Sequence, residues 1–157
     1  MHSLPVLALV LALGASQAFA QEQLRIGDPL PALHIKDQHD KSYEMQADTR
    51  RVLFVADNAG TALATQLIES HEADWLTRNK QVFLADIHKM PGLIASFVAI
   101  PQLQKKPYPI LLGKEATELP MFPRKKDCVT VIAATDNRIV ALSFACTPDE
   151  LRAAGSL

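Results

Sequence analysis

Cysteine is scarce in this chain and confined to one end. The 157 residues include two, Cys128 and Cys146, and none between Gln21 and Asp127. Two thiols cannot make a disulfide-dense scaffold or a four-thiolate zinc site, although they can make one bridge. Glycine is scarce too, six residues in all, and no phosphate-cradling glycine loop is present. An excess of either charge is missing: 16 Lys and Arg stand against 17 Asp and Glu, a net charge of −1. A nucleic-acid surface needs a basic excess, so that class is excluded. Nucleophile–histidine–acid sets, aromatic stacking platforms and cofactor-binding motifs are also absent. No repeat, low-complexity tract or interdomain linker interrupts the chain.

What is there fits one ordinary domain. Hydrophobic residues make up 48% and charged residues 21%, which suits a folded core rather than a disordered tail or fibre. Residues 4 to 15 form an apolar run broken only by Pro5 and Gly14. That run is too short for a comfortable bilayer span of about 20 residues. It ends in Ala18-Phe19-Ala20, the small-x-small pattern of a signal-peptidase site. Residues 1–20 are therefore expected to be a leader, although no Lys or Arg precedes the run and a retained anchor is the alternative. Removing 20 residues leaves 137, with no later segment of spanning length. The expected place is the periplasm, or outside a cell without an outer membrane, where disulfides form.

The periodicities give an element order. Gln23 to Pro31 reads as an extended arm, because Pro29 and Pro31 oppose a helix. Residues 33–37 and 42–45 alternate around the turn 38–41, a β-hairpin. Val52 to Ala56 and Gln81 to Asp86 are apolar runs of strand length, as in buried central strands. Helical spacing is expected over 61–77, with Leu63, Leu67, His71 and Trp75 on one stripe. His71 reads as a packed or edge histidine. Residues 91–100 read as a short helix stopped by Pro101, 108–112 as an edge strand, and 115–122 as a short helix. Residues 128–134 and 139–146 form a closing hairpin around Asp136-Asn137. A last helix opens at Thr147-Pro148-Asp149-Glu150, with Thr147 as cap. The expectation is an α/β fold, a mixed sheet with helices on both faces, reached by right-handed crossovers.

This order, with its local words, resembles the redoxin (peroxiredoxin-like) branch of the thioredoxin superfamily. Ile26-Gly27-Asp28-Pro29-Leu30-Pro31 is similar to the family's opening. Lys36-Asp37-Gln38-His39-Asp40-Lys41 is similar to its first turn, and Val52 to Ala56 to the strand before its active site. Thr135 to Ile139 and Leu142 to Leu151 are similar to the closing hairpin and helix. Residues 80–122 also resemble a periplasmic subgroup of unsettled activity. The resemblance implies a thioredoxin-like domain over 21–157.

It also implies where sulfur belongs. The family places Cys-x-x-Cys, or one peroxidatic Cys, at the start of the helix after the central strand. There the helix N-terminus stabilises a thiolate. The matching positions here read Ala59, Gly60, Thr61 and Ala62, with Thr61 or Asp57 as the helix cap. The family's cis-proline position, before the strand at Val129, reads Cys128. A family-type dithiol or peroxidatic mechanism is therefore not expected.

For Cys128 and Cys146 three readings stand. In a hairpin with a three-residue loop they face each other; a two-residue loop puts them on opposite faces. A structural disulfide would contribute roughly 3 kcal/mol in the chain-entropy model. The others are two buried free thiols, or a redox-active pair whose thiol is activated by the neighbouring Arg124-Lys125-Lys126.

Three function classes follow. The first is a non-catalytic binding or accessory module for another exported protein or a peptide, using Asp57 to Ala62 and Cys128. Asp86 and His88 join it, because strand C-terminal ends carry ligands in α/β sheets. The second is a thiol–disulfide oxidoreductase or antioxidant protein using Cys128 and Cys146. The third is a metal-binding protein using His34, Asp37, His39 and Asp40 on the first hairpin, a set equally readable as a solvated turn. No cofactor is implied.

Overall fold

The computed structural model describes residues 22–155, so the expected leader lies outside the described residues. Seven strands form one sheet: β1 (His34–Asp37), β2 (Ser42–Glu44), β3 (Arg51–Val55), β4 (Gln81–Asp86), β5 (Leu111–Gly113), β6 (Val129–Thr135) and β7 (Arg138–Ala145). Their order is β2-β1-β5-β4-β3-β6-β7. β3, β4 and β5 are parallel neighbours, and every other pairing is antiparallel. β3 and β4 are buried at every residue, as strands covered on both faces must be. The sheet is mixed and flanked by helices, with the hairpin β1–β2 at one edge.

The two faces are covered differently. Every buried helical side chain of the core (Ala64, Ile68, Leu76 and Leu151) packs in one cluster with Leu53, Phe83 and Val131. The opposite cluster takes Leu30 from the arm, Leu33 from the approach to β1, and Leu119 and Phe122 from the loop before β6. Helices on both faces were expected. The second face is instead sealed by irregular chain, whose stacked Phe54 and Phe122 rings lie 5.0 Å apart. The arm is extended as expected and is tied down by Gly27 N–H to Ile139 O and Leu30 N–H to Asn137 O.

The helices depart from the sequence pattern at their ends. α1 (Asn58–Glu69) begins three residues before Thr61, because Asp57 and not Thr61 is its N-cap. It stops where the Ser70 hydroxyl and N–H both turn back to Leu67 O. The stripe resumes in α2 (Trp75–Arg78), with His71 stacked on Trp75 at 4.1 Å. Pro101 does not end the third helical segment. α3 (Gly92–Ile94) runs through a π turn (Ala95–Ala99) into α4 (Ile100–Gln104), which contains Pro101. Proline lacks the N–H and crowds the carbonyl four residues back. A wider turn, with Ile100 N–H bonding Ala95 O, accommodates it. Residues 115–122 form turns rather than a helix, and Glu118 Oε2 accepts from the N–H of Lys114 and Glu115. β5 is interior, between β1 and β4; the prolines that suggested an edge precede it. α5 (Pro148–Gly155) opens as expected, with Glu150 N–H donating to Thr147 Oγ1.

The closing hairpin combines both expected registers. Asp136 and Asn137 both have positive φ, 49° and 62°, a two-residue turn of the primed kind. Next to it Thr135 faces Arg138 and Ala134 faces Ile139. Val140 is then an extra residue, and from Ala133↔Ala141 onward the register has shifted by one. This bulge brings Cys128 opposite Cys146, one step beyond Val129↔Ala145. The two are bonded, S–S 2.00 Å, with Cα atoms 4.2 Å apart.

Candidate functional site

β3 and β4 end side by side, and α1 starts where β3 stops. Asp57 is the hinge. Its backbone is extended (φ −153°, ψ 172°), and its Oδ1 accepts the Gly60 N–H at 2.7 Å. Thr61, in the first turn, donates its hydroxyl to Asp57 O. The second carboxylate oxygen of Asp57 accepts the Asp127 N–H at 2.8 Å, across 70 residues of sequence. One side chain therefore caps α1 and fixes the chain just before β6. Gly60 completes the contact. A Cβ there would stand 2.6 Å from Cys128 O, so only glycine admits this approach.

Of the positions where the resemblance would place the thiol motif, Gly60 forms a closed join with Cys128. Gly60 is buried against Cys128, Thr61 is half-buried, and Asn58, Ala59 and Ala62 are exposed. The described residues contain no cis peptide bond, so the peptide before Cys128, where the resemblance would place a cis-proline, is trans. The Cys128 sulfur is not a free thiol, since it belongs to the bridge with Cys146. Cys128 is buried and Cys146 is half-exposed, immediately ahead of α5.

Asp86, at the end of β4, has a side chain only 3% exposed. Its Oδ1 lies 2.6 Å from His88 Nδ1 and accepts the His88 N–H at 3.1 Å. Its Oδ2 accepts from Arg124 Nη1 at 2.9 Å. Arg124 in turn donates Nη2 to Leu119 O at 2.9 Å and sits 5.3 Å from the Phe54 ring centroid. A buried carboxylate needs such partners. Here they fix the imidazole and the guanidinium in place. A proton on His88 Nδ1, shared with Asp86, leaves Nε2 as the free ring nitrogen.

These groups line a cavity of about 200 Å³, in which Asp57, Asp86 and His88 meet Lys89, Arg124, Lys125 and Lys126. Sequence reasoning grouped Asp57, Asp86, His88 and Cys128 in one candidate binding surface, and Asp57, Asp86 and His88 line one cavity. It missed Lys89, and it read Arg124-Lys125-Lys126 only as neighbours of a thiol. The signal was a basic run in an evenly charged chain. Its partner, Asp86, lies 38 positions away and leaves no local mark.

The first hairpin does not assemble a metal set. Asp37 Oδ1 accepts the N–H groups of His39 and Lys41, so it serves the turn. His34, at the far end of β1, lies 3.4 Å from Glu44. Lys114 bonds Asp40 at 3.0 Å and holds its carboxyl below the usual range. Among the described residues no three His, Cys, Asp or Glu side chains converge on a metal position. The hairpin is anchored by Gln38 instead, whose amide donates to Tyr108 O and accepts from the Ile110 N–H. No helix among the described residues is long and apolar enough to cross a membrane.

No family model and no curated protein sequence matches the chain. Solved structures do. A peroxidoxin from Mycobacterium tuberculosis superposes with a TM-score of 0.57 at 12% identity, over 85% of this chain and 96% of that one. The thioredoxin domain of a thiol-disulfide oxidoreductase from Bacteroides vulgatus gives 0.56 at 13%, over 85% and 97%. A putative protein disulfide isomerase from Bacteroides thetaiotaomicron gives 0.53 at 16%, over 85% and 87%. At such identities the likeness is one of fold: the chain has a thioredoxin-like architecture.

Proposed function

We propose that this chain is an exported, non-catalytic binding module, a thioredoxin-like fold whose redox position has been given over to structure. One observation carries the reading: the start of α1 is built from Asp57, Ala59, Gly60 and Ala62, with Gly60 closed against Cys128 O. Nothing at that helix end can attack a disulfide or a peroxide, since the nucleophile in such chemistry is a thiolate. Fold alone does not bring activity with it. What remains is the polar cavity at the strand ends, a place where α/β sheets bind ligands. Export rests on the leader pattern ending at Ala20 and is in keeping with a disulfide-bonded pair.

Purified protein lacking residues 1–20 is expected to neither reduce insulin with dithiothreitol nor consume peroxide. Thiol-dependent turnover that disappears in Cys128→Ala and in Cys146→Ser overturns this reading.

A second reading has its own observation. Cys128 lies against the start of α1 through its carbonyl, and Cys146 is the more exposed residue of the bridge. A partner thiolate could attack Cys146 Sγ, breaking the bridge and releasing Cys128 as a thiolate. The partner's second thiol would then displace Cys146, leaving the partner oxidised and this chain reduced by two electrons and two protons. Equilibration with glutathione redox buffers separates the two readings. A potential below about −300 mV marks a structural bridge, and one near the thioredoxin value of about −270 mV or above marks an exchanging one.

A further inference from the structure

The cavity beside Asp86 has two properties that the binding reading leaves unused. The first is its charge. Both of its carboxylates are engaged on all four oxygens, by Gly60, Asp127, His88 and Arg124. Lys89, Lys125 and Lys126 are exposed and make no ion pair among the described residues, unlike Lys80, Lys106 and Lys114. The lining therefore presents unneutralised positive charge around a fixed imidazole.

The second property is its neighbour. Residues 90–104 contain no charged side chain, the longest such stretch after the leader. Within it Leu93, Ile94, Phe97 and Val98 are 75, 49, 77 and 55% exposed. They recur at i, i+1, i+4 and i+5, one face of a helix. The partly buried Ile100 and Leu103 take the core side, so this outer face has no partner among the described residues. Scattered exposed apolar residues need no explanation, but a contiguous group marks an interaction surface. Leu93 follows Lys89 by four residues, which places the two backbones within about 14 Å.

We propose that the cavity and this helix face together dock an extended acidic–apolar polypeptide segment. The proposal rests on the binding-module reading and names its partner class. A carboxylate side chain enters the cavity among His88, Lys89, Lys125 and Lys126. The flanking apolar residues of the segment cover Leu93, Ile94, Phe97 and Val98. A concave site of about 200 Å³ admits one side chain, not a nucleotide. A membrane surface, being broad and flat, would reach the helix face but not the cavity, so the combination favours a polypeptide.

The probe is a short fluorescein-labelled peptide alternating glutamate with leucine and phenylalanine, read by anisotropy. A second peptide replaces each glutamate by glutamine. The acidic peptide is expected to bind, to weaken as salt is raised, and to lose at least about tenfold in affinity on conversion to glutamine. Lys125→Glu with Lys126→Glu should abolish binding. Phe97→Ser with Leu93→Ser should weaken it several-fold with little change in salt dependence. All four side chains are exposed, so thermal unfolding should stay near that of the parent and separate docking from folding. Equal binding of the glutamine peptide, or indifference to the lysine reversals, overturns the proposal. So does failure of the acidic peptide to bind while phosphatidylglycerol vesicles sediment the protein through Phe97. None of these outcomes bears on the insulin and peroxide assays, so the docking proposal and the non-catalytic reading fail independently.

Discussion

The two ends of the sheet carry cavities of opposite character. Where β3 and β4 begin, a cavity of about 920 Å³ opens among Arg51, Trp75, Asn79, Gln81 and Gly155. Where the same strands end, the cavity is about 200 Å³. The larger one has one long-range tie, Arg51 Nη1 donating to Gly155 O at 2.8 Å, and is otherwise less closely filled. Gln81 Oε1 is buried there without a hydrogen-bond partner among the described residues, and Gly155 could carry a Cβ whose nearest described neighbour is Leu67 Cδ2 at 3.9 Å. The smaller one is locked by contacts between distant segments: Asp57 with Asp127, Asp86 with Arg124, Gly60 with Cys128. The larger volume therefore does not go with the tighter construction. Buried carboxylates do, because each must be matched by partners that the fold brings from far away.

The contrast can be broken most directly at the disulfide. It closes a loop of 18 positions beside the locked end. Replacing both cysteines by serine should lower stability by about 3 kcal/mol in urea unfolding. It should do so without abolishing the fold, because β6 and β7 keep their ladder.

Gly60→Ala comes next. Its methyl would stand 2.6 Å from Cys128 O, and either α1 or the start of β6 must move. A loss of about 2 kcal/mol is expected. Gly155→Ala, at the loose end, should cost nothing measurable. Equal effects at the two glycines would show that the locked end is no tighter than the other. Asp57→Ala should cost about 1 kcal/mol as a lost cap. Asp57→Asn should recover part of this, because its amide oxygen can still serve Gly60 but only one acceptor remains.

Residue order makes some of this legible and hides the rest. β3, β4 and the first hairpin follow from apolar runs, alternation and turn residues, since strand period and turn chemistry are local. The bridge between Cys128 and Cys146 was legible as the first of three readings, but the register that makes it was not. The turn at Asp136-Asn137 has two residues, and Val140 then adds one, so neither simple loop describes the register. The third helical segment was misread at Pro101, because a π turn can absorb a proline that an ideal α-helix cannot. The join of Asp57 with Asp127 and the grip of Arg124 on Asp86 were not legible at all. They depend on how β3, β4 and the approach to β6 are juxtaposed, and no spacing in the sequence encodes that.

An effect that shows only at alkaline pH lies at the far end of α1 and tests whether charge there is only structural. Tyr108, buried before β5, donates its hydroxyl to Glu69 Oε1 at 3.2 Å. Burial, and then the negative charge of Glu69, push its phenol up to about 12. Lys106 bonds the same carboxylate and holds Glu69 below its usual range. The folded chain thus keeps the Tyr108 proton more tightly than the unfolded chain, where the phenol titrates near 10. Below about pH 10 both states are protonated and the contribution is complete. As pH rises further the unfolded state ionises first, and stability falls until about pH 12. By about pH 11 the loss should be on the order of 1 kcal/mol. Tyr108→Phe should flatten this alkaline slope while leaving acidic-peptide binding near Asp86 unchanged. A change in that binding would mean the two ends of the sheet are coupled through α1, and the contrast between a locked end and a loose one would have to be redrawn as a single connected network.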